Sequence, residues 1–86
     1  MNINDLIAIV KKKLNNQIYI EKIEIEDRSF LHKNHSGNKE GKFHLKIIIS
    51  SIELKKLSRI ESNKIIYKIL SEEIKEHIHS LQILIN

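Results

Sequence analysis

The segment FHLKIIIS, residues 43–50, decides the fold of this 86-residue chain. Every odd-numbered position in it is apolar, whereas the even-numbered positions carry histidine, lysine, isoleucine and serine. Successive side chains of a β-strand point to opposite faces, so this alternation predicts a strand with one fully apolar face. The segment therefore indicates a sheet that buries one face against other elements of the chain.

Residues 18–27, which precede this strand, also alternate, but their isoleucines change phase near Glu21 and Lys22. The change predicts either a β-bulge or an extended connector that leads into a first strand. A polar segment at about residues 28–42 follows and contains both glycines of the chain. Two strands joined by one loop predict an antiparallel hairpin. We expect the loop to be disordered without a partner, because its composition offers little to bury.

An amphipathic helix is predicted before the hairpin. Its apolar residues recur at helical spacing and are Ile3, Leu6, Ile7, Val10 and Leu14. Either Asn2 or Asn4 would cap its N-terminus. The three lysines at residues 11–13 would occupy its C-terminal end, where positive charge complements the helix dipole.

A second helical region is predicted after the hairpin. Residues 51–57 indicate a short turn or helical piece, and Ser58 with Glu61 forms a capping box that opens a long helix. The predicted buried stripe of this helix is Ile65, Ile66, Ile69, Leu70 and Ile74. Its expected solvated face carries Glu72, Glu73 and Glu76. His77 would lie in its final turn, where it suits the helix dipole.

A last strand is indicated by the alternation of Leu81, Ile83 and Ile85. The resulting order is helix, strand, strand, short helix, helix, strand. It predicts an α+β domain over residues 1–86, in which helices cover one face of a three-stranded mixed sheet.

Composition limits the possible functions. The chain has no cysteine, so it cannot form a disulfide, a thiolate metal site or a cysteine nucleophile by itself. No apolar run approaches the roughly 18 to 20 residues needed to cross a bilayer, and the N-terminus lacks the features of a secretory signal, so we expect a cytoplasmic protein. The sequence contains none of the common catalytic motifs, which favours a protein that is not an enzyme. The net charge of +4 suits a solvated lysine-rich surface.

Three blocks of sequence resemble the BolA family. The first, DRSFLHKNHSG at residues 27–37, is similar to a D-x-S-x-x-H-x-x-H-x-G loop. The second, HLKIIISS at residues 44–51, is similar to an H-F-K-V-V-I-V-S strand. The third comprises LSEEI at residues 70–74 and IHSL at residues 78–81, which resemble L-A-E-E-L and I-H-A-L. Together the blocks extend the resemblance over nearly the whole chain.

This resemblance implies a type II KH-like fold and two activities. One is partnership with a monothiol glutaredoxin around a shared 2Fe-2S cluster, to which the glutaredoxin and glutathione supply sulfur and the BolA-like protein supplies histidine. The protein would then be a monomer without a cofactor when alone and part of a heterodimer with its partner. The other activity is transcriptional regulation, associated with stress response, through contact with DNA.

The resemblance assigns roles to several of the five histidines. It aligns His79 with the family's cluster-ligating histidine and His35 with the loop histidine that supplies a second ligand. His32 and His44 are the substitutes for that second ligand. The alternative is that His32 and His35 are ordinary polar loop residues, that His44 is a cross-strand surface residue and that His77 caps a helix. His32 and His35 could chelate zinc if the loop were locally helical, but their spacing is weakly specific.

A nucleic-acid-binding module is the rival interpretation. Its phosphate contacts would be Lys55, Lys56, Arg59, Lys64 and Lys68. Many BolA-like proteins have F-x-G and R-H-R where this chain has Leu-Lys-Lys at residues 54–56 and Ser-Asn-Lys at residues 62–64, and the loss of two cations and a glycine weakens this interpretation. A third alternative is a purely structural or dimerising module.

Overall fold

The computed structural model describes residues 1–29 and 42–86. Its elements, in chain order, are α1 (Ile3–Gln17), β1 (Lys22–Asp27), β2 (Phe43–Ser50), α2 (Ile52–Lys55), α3 (Arg59–Ile69), α4 (Ser71–Glu76) and β3 (Ile78–Ile85). This is the predicted order, except that the long second helix is divided in two. The predicted polar loop falls mainly in residues 30–41, outside the described residues, so its disorder stays a prediction.

The sheet has the strand order β1-β2-β3. β1 pairs with β2 antiparallel, and β2 pairs with β3 parallel, so the predicted hairpin and mixed sheet are confirmed. Ile47, near the middle of β2, lies opposite Ile25 on one side and Ile83 on the other. The α+β fold class with helices on one face of the sheet is therefore correct.

The core lies between the helices and the apolar face of β2. Leu45, Ile47 and Ile49 are at most 2% exposed, as the alternation in residues 43–50 predicts. The helices contribute the other buried side chains of this cluster, among them Leu6, Val10, Leu14, Leu54, Ile66 and Leu70. Burial of one such aliphatic side chain stabilises the fold by about 1.5–3 kcal/mol, so β2 is the main anchor of a small domain.

Helix α1 begins where the sequence predicts and ends later. The Oδ1 atom of Asn2 accepts a hydrogen bond from the backbone N–H of Asp5 at 2.8 Å, which decides between the two candidate caps. The helix continues to Gln17. The prediction that the three lysines lie at its C-terminal end is therefore wrong. The reason is packing: Leu14 is buried, and the buried Ile18 donates its N–H to the carbonyl of Leu14.

An extended connector, and not a bulge, explains the phase change among the isoleucines before β2. Ile18 has extended backbone angles and ends α1, whereas β1 starts only at Lys22. Ile20 belongs to the connector and packs partly buried against the core, as do Ile23 and Ile25 from the strand. The two phases therefore belong to two different segments that share one core.

The capping box is confirmed, but the helix that it opens is interrupted. The Oγ atom of Ser58 accepts from the N–H of Glu61 at 3.1 Å, and the Glu61 carboxylate accepts from the N–H of Ser58. At Leu70 the backbone leaves helical geometry, with φ −97° and ψ 17°, and a separate helix, α4, begins at Ser71. Ile65 is 38% exposed, so its place in the predicted buried stripe is wrong. The buried side of α3 instead carries Ser62 and Ile66 at i, i+4 spacing.

Glu73 also departs from the prediction, because it is buried and not part of a solvated face. Its side chain lies on the inner side of α4, where its Oε2 atom accepts a hydrogen bond from the Nζ atom of Lys13 at 2.7 Å. Lys13 also lies 3.6 Å from the Oε2 atom of Glu72. The hydrogen bond to Glu73 raises the pKa of Lys13 above its ordinary value. This ion pair joins α1 to α4, which are distant in sequence.

We expect Lys13→Met to lower the free energy of unfolding, because it leaves the buried Glu73 carboxylate without its partner. Lys12→Met, at an exposed neighbouring position on the same helix, is the matched control and should have a much smaller effect. Urea unfolding measures both. Since the folded-state pKa of Lys13 is raised, its contribution is fully present below pH 10.5 and is lost as the pH rises through that raised value. Equal destabilisation by the two variants would contradict this role.

Candidate histidine site at the start of β3

An irregularity in the β2–β3 ladder places His79. Phe43 lies opposite Ile78, but the next residue of β2, His44, lies opposite Ser80. β3 therefore has one extra residue at this point, His79, which forms a bulge. Bulges re-aim a side chain and are common next to functional sites. Here Ile78 is buried in the core, whereas His79 is exposed.

The end of α4 holds the start of β3 in place. His77 is the C-terminal cap residue of α4 and donates its N–H to the carbonyl of Glu73 at 2.8 Å, in line with the capping role considered for it. The carbonyl of His77 in turn accepts from the N–H of Phe43 at 2.9 Å. The chain is thus fixed to β2 immediately before the bulge, so His79 projects from an anchored segment.

The imidazole of His79 contacts the imidazole of His44. Their ring centroids lie 4.8 Å apart with an interplanar angle of 76°, an edge-to-face arrangement. His44 is only 3% exposed, so the interpretation of His44 as a surface residue is wrong. Its ring contacts the ring of His79 and the hydroxyl of Ser80. The pair thus consists of one buried imidazole and one exposed imidazole.

Hydrogen bonds from both flanking segments hold His44. Its Nδ1 atom lies 2.6 Å from the Oγ atom of Ser80. Its backbone N–H donates to the Oγ atom of Ser29 at 3.1 Å, and its carbonyl accepts from the N–H of Arg28 at 2.6 Å. Sequence reasoning missed both serines. Their signal was present, because Ser29 belongs to the first block of the family resemblance and Ser80 to the third.

The other candidate ligands cannot be placed, because His35 and His32 lie outside the described residues. The described segments that flank them do approach the site: Ser29 bonds to His44, and Lys42 directly precedes β2. Within residues 1–29 and 42–86, no group of three or more histidine, aspartate or glutamate side chains could hold a metal ion. In that part of the chain, the histidine pair at the bulge is the arrangement with ligand chemistry.

The five cations of the rival interpretation lie on α2, on α3 and between these two helices. Lys55 and Arg59 line a cavity between α2, α3 and β3. Lys68 lines a separate open groove between α1 and α3. Lys56 and Lys64 are exposed and line neither. Among the described residues, no helix is long and apolar enough to cross a membrane.

Comparison with known proteins identifies the class to which this fold and site belong. The sequence model of the family described as BolA-like protein matches residues 14–86. The chain therefore belongs to the BolA family, and the resemblance inferred from the three sequence blocks is confirmed.

Three relatives illustrate the range of the family. The chain is 29% identical over 73 residues to the DNA-binding transcriptional regulator BolA of Haemophilus influenzae, covering 85% of this chain and 68% of that protein. It is 28% identical over 79 residues to SufE-like protein 1, chloroplastic/mitochondrial, of Arabidopsis thaliana, covering 86% of this chain but only 21% of that protein. The solved BolA domain of SufE1 from Arabidopsis thaliana is similar with a TM-score of 0.78 at 23% identity, covering 100% of this chain and 93% of that domain.

We expect Ser80→Ala to lower the free energy of unfolding by about 1–3 kcal/mol, the usual cost when a buried polar group loses its partner. The variant removes the hydroxyl that contacts the Nδ1 atom of His44, so the ring ¹⁵N resonances of His44 and His79 should both shift. Ser71→Ala, at an exposed position in α4, is the control and should move neither resonance. Unchanged imidazole resonances in Ser80→Ala would show that this hydrogen bond does not organise the pair.

Proposed function

We propose that this BolA-like protein is a cytoplasmic, non-enzymatic adaptor that contributes His79 as an iron ligand to a 2Fe-2S cluster shared with a monothiol glutaredoxin. The observation that carries the proposal is the position of His79. It is exposed at a bulge, on a segment anchored by α4 and β2, and backed by the buried ring of His44. An imidazole held in this way reaches a partner's surface with few rotamers to lose on binding.

The chemistry of the available donors fits a shared cluster. Imidazole nitrogen is a good ligand for iron, and the chain offers histidine but no cysteine. The sulfur ligands of a 2Fe-2S cluster would therefore have to come from outside, from the glutaredoxin and from glutathione. A heterodimer meets that need, and the chain alone would be a monomer without a cluster.

The second ligand in this proposal is His35. His44 is the substitute whose position is described, and its ring already lies beside that of His79. However, the burial of His44 and its contact with Ser80 favour a supporting role, in which it orients the ring of His79. His32, like His35, belongs to the segment whose ends lie near the site, and it remains the other substitute.

The reaction of such an adaptor is ligand exchange at iron. When histidine replaces thiolate ligands, the reduction potential of a 2Fe-2S cluster rises. His79 would thereby tune the stability or the release of the cluster, and this role requires no catalytic residue. The proposed cellular role is iron-sulfur trafficking or iron and redox regulation.

Anaerobic reconstitution of the protein with a monothiol glutaredoxin, iron, sulfide and glutathione tests the proposal. Visible circular dichroism should show a heterocomplex spectrum that differs from the spectrum of the glutaredoxin homodimer. His79→Ala should alter or abolish it because an iron ligand is lost, whereas His77→Ala, two residues away, should leave it intact. A heterocomplex with an unchanged spectrum in His79→Ala would refute the assignment. His35→Ala, His32→Ala and His44→Ala then identify the second ligand.

A second candidate function is nucleic-acid binding in transcriptional regulation. It is favoured by the similarity to a protein named as a DNA-binding transcriptional regulator and by the exposed lysines of the α2–α3 region. All five predicted contacts are exposed, and of these Lys56, Lys64 and Lys68 do not line the cavity beside β3. Lysine contacts of this kind predict binding that is weak and tolerant of sequence.

If DNA is bound in this way, affinity should fall steeply with salt. Each lysine removed by Lys64→Ala or Lys68→Ala should reduce the slope of log affinity against log salt by about 0.9. Lys12→Ala, in the third turn of α1, serves as the control and should leave the slope unchanged. Fluorescence anisotropy with labelled duplex DNA provides the measurement, and affinity that does not change between low and moderate salt would exclude this function.

A further inference from the structure

The two edges of the sheet are protected very differently. β1 forms one edge, and its charged residues are Lys22, Glu24, Glu26 and Asp27. β3 forms the other edge, and its sequence IHSLQILI contains no acidic residue, lysine, arginine or proline. Native sheets commonly block an exposed edge with charge, proline or a covering element, because an unpaired edge can accept another strand. β3 lacks the first two of these devices.

The backbone of β3 presents unpaired groups along the second half of this edge. The N–H of Asn86 donates to the carbonyl of Ile49 in β2 at 2.8 Å, so the alternate residues Leu81, Ile83 and Ile85 direct their backbone groups away from β2. The hydroxyl of Tyr67 donates to the carbonyl of Leu81 at 3.2 Å and covers that position. No hydrogen bond from elsewhere in residues 1–29 and 42–86 reaches the outward groups of Ile83 and Ile85.

A cavity of about 160 Å³ lies beside this part of the edge. It is smaller than the roughly 300–1,000 Å³ of typical small-molecule sites, so its size suits a single side chain. Aliphatic residues line it, including Leu54, Leu57 and Ile83. Lys55 and Arg59 also line it, whereas no acidic residue of the described segments 1–29 and 42–86 does. The site therefore combines an apolar cavity, two cations and a free strand edge.

The side chain of Asn63 adds a further binding group. It lines the same cavity, and its buried Oδ1 atom has no hydrogen-bond partner among the described residues. A buried acceptor without a partner is unfavourable. If the amide turned toward the cavity, it could accept from an N–H of a bound chain and satisfy this atom. A chain bound in the cavity can thus supply the N–H donor that the Oδ1 atom of Asn63 lacks.

We propose that the β3 edge from Leu81 to Ile85, with the adjoining cavity, binds an extended acidic peptide segment of a partner protein as a fourth strand. Backbone pairing of the peptide with Ile83 and Ile85 supplies affinity. Specificity comes from an aliphatic side chain of the peptide in the cavity and from its carboxylates near Lys55 and Arg59. This site is separate from the histidine site, because Ile83 lies four residues beyond His79, or about 13 Å along the strand.

Charge and chemistry favour this occupant over two others. A second copy of the chain would bring the same two cations and the same net charge of +4 to the contact. A nucleic acid would find cations here, but it would not match the two-residue spacing of the edge groups or the aliphatic lining. An acidic peptide satisfies the edge, the cavity and the charge together.

Selection from a displayed random-peptide library tests the proposal. Enriched peptides should lack proline, contain aliphatic residues and carry glutamate or aspartate. Titration of an enriched synthetic peptide into ¹⁵N-labelled protein should shift the amide resonances of residues 81–85. Arg59→Glu, which stays compatible with the first turn of α3, should weaken binding about tenfold through charge repulsion. Lys56→Glu, outside the cavity, is the matched control and should change affinity less than twofold.

Ile85→Pro removes an outward N–H of the edge that takes no part in the β2–β3 ladder, so it should also abolish peptide binding without unfolding the domain. The proposal is overturned if no peptide is enriched, or if the shifted amides lie outside the edge. It is also overturned if the edge resonances shift with protein concentration alone, which indicates a second copy, or with an oligonucleotide in place of the peptide. Cluster reconstitution with the glutaredoxin should be unaffected by Arg59→Glu. Failure of the peptide-binding proposal can therefore be distinguished from failure of the adaptor proposal.

Discussion

The pairing of β2 with two neighbours is the constraint on which the rest of the structure depends. β2 is the central strand, and its apolar face supplies the most deeply buried part of the core. In a domain of 86 residues, only one such core can form, so all four helices must pack on the same face of the sheet. Within residues 1–29 and 42–86, the opposite face of the sheet carries no helix, and the histidine pair forms at one end of the β2–β3 contact.

Local patterns allowed most of the fold to be predicted. The alternation in residues 43–50, the asparagine cap and the capping box at Ser58 each depend on neighbours in sequence, and each is confirmed. The errors concern features that depend on distant parts of the chain. The buried Glu73 pairs with Lys13, which is 60 residues away, and α4, which follows the break at Leu70, packs against β3. Periodicity along one helix contains no information about either contact.

The candidate site was predictable only in part for the same reason. The family resemblance singled out His79, and the turn from helix to strand placed it at a junction. The contacts of the buried ring of His44 with the ring of His79 and with the hydroxyl of Ser80 arise from the register of two parallel strands. One extra residue in β3 sets this register. Alternation alone does not reveal it, because Leu81, Ile83 and Ile85 have the same spacing with or without a bulge at residue 79.

Because of the bulge, the histidine site and the fold can vary independently. If residue 79 were deleted, Ile78 and Ser80 would become neighbours opposite Phe43 and His44, and the ladder would be regular from end to end. Leu81, Ile83 and Ile85 would still face the helices. The architecture therefore has no need of His79. In evolutionary terms His79 is an insertion in a strand that is complete without it, so a descendant could lose the histidine and retain the domain.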